Sequence, residues 1–246
     1  MIEFLNSLDT SAFLAINGAH SPFFDSFMTM FTGRYIWIPM YAIVLLILFR
    51  TCRWHTAILY LAALAAAVFL TDQTCATIIR PVVERLRPSN PDSPISSLVY
   101  IVDGYRGGNY GFPSCHAANS MALAMFLTLF VKRRSFTIFI FGWALLNSYS
   151  RLYLGVHYPG DLLVGATIGC FFAGICYWGA SKLDLRLSSL PRRNRYERLA
   201  TPLLPPRVAG ISGNSPALNI TVTGVMVAAF TIILAIIVIA SVARTI

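Results

Sequence analysis

Charge is scarce in this chain. Only 12% of its 246 residues are Asp, Glu, Lys or Arg, about half the roughly 25% of an ordinary soluble domain. Its five cysteines, Cys52, Cys75, Cys115, Cys170 and Cys176, include no Cys-x-x-Cys pair and no Cys/His cluster at metal spacing. An odd number of thiols in apolar stretches argues against a disulfide framework, and four of them read as small buried hydrophobes. No acidic cluster offers a magnesium or calcium site. No internal repeat is present, which argues against an inverted-repeat transporter. Residues 1–20 lack a basic n-region and a long apolar stretch, and do not read as a cleaved leader.

Apolar residues make up 57% of the chain, and mean hydropathy is +0.67. The apolar residues fall in six long runs, at 34–49, 55–75, 116–131, 135–150, 161–180 and 220–242. Three of these are short for the roughly 20 residues that cross a bilayer, which implies tilt or extension. The fold expected is an all-α membrane protein, a six-transmembrane helix bundle. It is preceded by an N-terminal interfacial helix carrying Phe4, Leu5, Leu8, Phe13, Leu14 and Ile16. Residues 1–33 form the interfacial segment, 34–182 the catalytic core, 183–219 a cytoplasmic basic linker drawn to anionic lipid, and 220–246 the last span.

The net charge of +9 is unevenly spread. Threading six spans puts twelve of the 19 basic residues on one side, with only Asp184 and Glu197 as acids. The positive-inside rule makes that side cytoplasmic and both termini external. The surplus is thus an orientation signal, and nucleic acid is not an expected partner.

Arg80, Arg87, Arg151, His116, His157 and Asp161 collect on the opposite face, at helix ends, where ionisable groups are functional by default. In 157–161, His-Tyr-Pro-Gly-Asp, Asp161 can cap the following helix. It can also accept the Nδ1 proton of His157, leaving Nε2 free as a nucleophile. Pro113-Ser114-Cys115-His116 opens another apolar helix, with Ser114 as N-cap and first-turn N–H groups facing an anion. His116 there suits a general acid. Arg80, Arg87 and Arg151 suit bidentate phosphate binding, whereas Arg85 reads as a headgroup cation and Asp72 and Glu84 as ion-pair partners for the arginines. Cations, a helix N-terminus and an oriented histidine are what phosphoryl transfer through a covalent intermediate needs, with no metal ligand set and no cofactor.

These segments resemble the three signature motifs of the type 2 phosphatidic acid phosphatase family, which shares its site with vanadium haloperoxidases. Arg87-Pro88, Pro113-Ser114, His116, Ser150-Arg151, His157 and Asp161 match in order and spacing, across about 54–182. Arg80 stands where the family has lysine, and Cys115 where it has glycine. The resemblance implies that Arg80, Arg87, Arg151, Ser114 and the Cys115 N–H hold phosphate. It also implies that His157 attacks phosphorus, and that His116 protonates the leaving oxygen and then activates water. It implies a bacterial inner-membrane enzyme acting outside on undecaprenyl diphosphate or lipid A. Phosphatidylglycerol phosphate or phosphatidate is the alternative substrate, and a lipid transporter the rival class. Residues 105–110 are a candidate headgroup selector.

Overall fold

A computed structural model describes residues 2–33, 35–189 and 216–245, and every regular element among them is helical. Among the described residues the only sheet-like pairing is an isolated bridge between Leu86 and Tyr110.

Helix α1 (Ile2–Asn17) and helix α2 (Pro22–Phe31) precede the apolar runs. Ser21 caps α2 by accepting the Phe24 N–H, and Pro22 sits where a missing N–H costs nothing. Then come α3 (Ile38–Thr51) and α4 (Trp54–Gln73). Here the structure departs from the expected end at residue 75. Helix α4 runs on through a π-turn, Thr74–Ile79, into a short α5, Arg80–Val83. In the π-turn the Arg80 N–H bonds the Cys75 carbonyl, five residues back. That displaced ladder admits Pro81, which has no N–H to give. Glu84, exposed and left-handed at φ 49°, ends the rod.

The site's own helices follow. They are α6 (Cys115–Val131), α7 (Arg134–Tyr153) and α8 (Pro159–Ser189), with α9 (Pro216–Thr245) last. Helix α8 continues past the linker boundary expected at residue 183, and the linker's centre, 190–215, lies outside the described residues. Among the described residues three stretches are long and apolar enough to cross a membrane: Trp54–Val83, Pro159–Leu187 and Val227–Thr245. Ile38–Arg50 and Cys115–Val131 are shorter apolar helices.

Helix α6 is central and lies between α8, α7 and α4. It approaches α8 closely because α8 presents Gly165 and Gly169. A Cβ on Gly165 would lie 2.5 Å from the Ser114 carbonyl oxygen, and one on Gly169 would overlap the Ala118 carbonyl. Bare backbone there lets the two helices touch. On the other flank, α9 packs against α2 and α3 through rings. Trp37 stacks on Phe230 at 5.6 Å and meets Phe31 and Trp143 edge-on. Helix α1 docks on α7 and α8, with Phe13 fully buried.

Candidate active site

One end of this bundle gathers the charged residues. Ser114 caps α6, accepting the Ala117 N–H on its hydroxyl, and its own N–H bonds the Asp161 carbonyl at 3.0 Å. The first turns of α6 and α8 are thereby fastened together.

The Asp161 side chain is fully buried. Its Oδ2 lies 3.3 Å from His157 Nδ1 and accepts the Tyr158 N–H at 3.0 Å. Its Oδ1 accepts from Arg85 Nη1 at 2.9 Å. The His157 Nδ1 proton therefore points at a carboxylate, and Nε2 keeps its lone pair, which accepts from Arg87 Nη1 at 2.9 Å. Burial lowers the His157 pKa to about 3, and the charges of Arg87 and Arg151 push the same way against Asp161. The imidazole is neutral, as a nucleophile must be.

Arg87 is buried and also donates to the Val156 carbonyl. Its pKa is lowered to about 10 by burial first, then by the charges of Arg80 and Arg151. Three guanidiniums thus share one neighbourhood, and among the described residues none of them is in an ion pair. In each, the Nε is buried and has no hydrogen-bond partner among the described residues. Orphaned buried donors are costly, and three converging cations fit an oxyanion. Arg80 Nη2 meanwhile donates to the Pro113 carbonyl at 3.1 Å and to Cys115 Sγ at 2.9 Å. Cys115 thus supplies a thiol side chain where a glycine would leave space.

His116 stands on the first turn of α6. Its Nε2 lies 2.7 Å from Asn147 Oδ1 and 3.2 Å from Thr32 Oγ1. An amide oxygen only accepts, so Nε2 carries a proton, and a second proton on Nδ1 would make the ring the imidazolium that a general acid must be. Thr32 Oγ1 also accepts from Arg151 Nη1 at 3.1 Å, which ties His116 to the arginine cluster.

The loop 88–113 covers this end. Arg87 N–H bonds Asn109 and Gly111 N–H bonds Arg85. A Cβ on Gly111 would lie 3.2 Å from Asp161 Oδ2 and 3.5 Å from His157 Nδ1, so backbone roofs the pair directly. Arg106 and Ser89 clasp each other's carbonyls, and Tyr105 OH accepts from Arg151 Nη2 at 3.2 Å.

Two expectations need correction. Arg85 is not a headgroup cation. It bridges Asp161 and Asp9, at 2.9 and 2.7 Å, with its guanidinium 3.9 Å from the Tyr158 ring centre. Burial beside two carboxylates outweighs what a lipid phosphate at the interface could offer it. Asp72 accepts from Asn119 at 3.0 Å instead of meeting an arginine. Sequence reasoning also passed over Asp9, Thr32 and Asn147. Asn147 carried a signal, a polar residue in an apolar helix four positions before Arg151 and so on its face. Thr32 carried none.

The chain is similar to several known proteins. Lipid A 4'-phosphatase of Bacteroides thetaiotaomicron is 55% identical over 189 residues, 77% of this chain and 84% of that protein. The protein of the same name from Porphyromonas gingivalis is 31% identical, over 72% of this chain and 74% of its own. The crystal structure of Aquifex aeolicus LpxE superposes with a TM-score of 0.52 at 25% identity, covering 69% of this chain and 94% of that one. Residues 56–184 match the PAP2 superfamily, and this stretch holds every motif residue of the site. The chain belongs to the PAP2 superfamily.

Proposed function

We propose that this PAP2 enzyme, a lipid phosphatase, removes a terminal phosphate from lipid A through a phosphohistidine on His157. The observation that carries the mechanism is the pairing of a neutral, carboxylate-oriented His157 with three arginines whose buried Nε donors lack partners. The substrate rests on the two relatives named lipid A 4'-phosphatase.

Arg80, Arg87 and Arg151, with the Ser114 hydroxyl and the Cys115 N–H, hold the phosphate oxygens. Arg87 moves its Nη1 from His157 to the anion, which frees the lone pair. Nε2 of His157 attacks phosphorus, and the bond from phosphorus to the lipid oxygen breaks. That oxygen takes the Nε2 proton of His116 in its imidazolium form, which leaves a neutral imidazole. Asp161 stabilises the positive charge that develops on the imidazole. Water, giving its proton back to His116, then splits the P–N bond and releases phosphate. The arginines neutralise the equatorial oxygens, so no step requires a metal.

Six spans, with α1 at the interface and the site facing outward from a bacterial inner membrane, suit this role. The apolar runs and the basic surplus on one side support that topology. The stretch 183–219 would then be a cytoplasmic linker to the last span.

Purified protein in detergent with EDTA is offered lipid A, undecaprenyl diphosphate and phosphatidylglycerol phosphate, and released phosphate is measured. Lipid A is expected to be hydrolysed fastest, and His157→Ala to release nothing above background. Faster turnover of undecaprenyl diphosphate would overturn the substrate, and an active His157→Ala the mechanism.

A further inference from the structure

Helix α1 lies outside the matched region 56–184, yet one of its side chains reaches the site. Asp9 Oδ2 is 2.7 Å from Arg85 Nη2, and Asp9 Oδ1 accepts the Gly160 N–H at 2.7 Å. Arg85 passes the contact on to Asp161 Oδ1, whose other oxygen faces His157 Nδ1. The place is fitted to its occupant. A Cβ on Gly160 would stand 2.9 Å from Asp9 Oδ2, so residue 160 must stay bare for Asp9 to remain. Phe13, one turn further along α1, packs on Tyr158 at 5.5 Å between ring centres.

The charges explain why a second carboxylate belongs here. Asp161 assists His157 by being negative when the imidazole becomes positive. Arg85, bonded to Asp161 with its side chain only 22% exposed, would alone cancel that charge. Asp9, 14% exposed, returns the trio of Asp9, Arg85 and Asp161 to a net charge of −1.

Resting on the phosphohistidine reading above, we propose that Asp9 is a positioning residue for the transfer. It acts through Arg85 to hold Asp161 in place and to keep it effectively negative, which makes α1 a working part of the active site.

The test uses the full chain carrying Asp9→Asn, Gly160→Ala, and Asp9→Asn with Arg85→Gln. Asp9→Asn keeps the size and one acceptor but removes the charge. Its kcat should fall on the order of ten-fold, the scale for one charge a few ångströms beyond the first contact, with KM within about two-fold. Gly160→Ala, which displaces Asp9, should give the same split. Adding Arg85→Gln to Asp9→Asn should recover part of kcat, because the unbalanced cation is gone. A merely structural link predicts the opposite, a deeper loss. In substrate-free protein, the NMR shift of the His157 Nδ1 proton should move in Asp9→Asn and return partway in the double variant.

Unchanged kcat and proton shift in Asp9→Asn, or a double variant worse than the single, overturns the proposal. A wild-type protein that releases no phosphate from any lipid overturns the functional reading alone, since the proton shift still decides the role of Asp9.

Discussion

Arg87 donates from Nη1 to Nε2 of His157 across 2.9 Å, so the cation meant for the phosphate covers the atom that attacks it. This contact keeps the imidazole from picking up a proton while no anion is bound. It also makes nucleophile and anion site interdependent, because one movement of Arg87 serves both.

Arg87→Ala should therefore do two things at once. Loss of a charged donor to the phosphate should lower kcat/KM by about 100- to 1000-fold. Removing its charge should raise the His157 pKa from its depressed value, since Arg87 is one of the groups lowering it. The acid limb of the pH–rate profile should then move toward neutral pH. A limb that stays in place would separate the two roles.

Stability should carry the same signature. The His157 pKa falls from 6.5 to about 3 on folding. Between those values the unfolded chain binds a proton that the folded chain refuses, so this group costs stability as pH drops from about 6.5 to about 3 and contributes no slope above or below. Thermal melts of His157→Asn should lack this part of the acid dependence. Parallel melting curves for both proteins over pH 4–7 would contradict it.

Asn147→Ala removes the acceptor that fixes His116. Its kcat should fall by about 10- to 100-fold, up to the low end of the roughly 100- to 10,000-fold ascribed to a general acid, with KM nearly constant. Initial rates across substrate concentration measure this directly. A rise in KM alone would assign Asn147 to substrate binding.

Gly169→Ala forces a methyl group into the Ala118 carbonyl where α8 crosses α6. A cost of about 1–3 kcal/mol is expected from overpacking. It should be read as a lowered melting temperature, because the phosphate-binding side chains themselves are untouched.

Much of this was legible beforehand. Apolar runs located α3, α4 and α6 to α9 because a helix in hydrocarbon must be apolar over most of its length. The motif residues stood out as ions where ions are expensive: Arg80, Arg87 and Arg151, His116 and His157, and Asp161. What stayed hidden depended on contacts between distant segments. Asp9 and Arg85 are 76 positions apart, and Arg85 and Asp161 another 76. No local pattern distinguishes an arginine bound between two carboxylates from one reaching for lipid. Thr32 was invisible for the same reason, since a threonine after a helix is ordinary until its neighbours are known.

The π-turn at Thr74–Ile79 sets the angular phase of everything behind it. An α-helix advances about 100° per residue, so one extra residue in the turn rotates α5 by roughly that much. Arg80 consequently faces the start of α6 and not the lipid. Deleting one residue from 74–79 would leave every motif residue in the chain, yet swing this guanidinium about a quarter-turn off target. An intact signature would then accompany a silent enzyme.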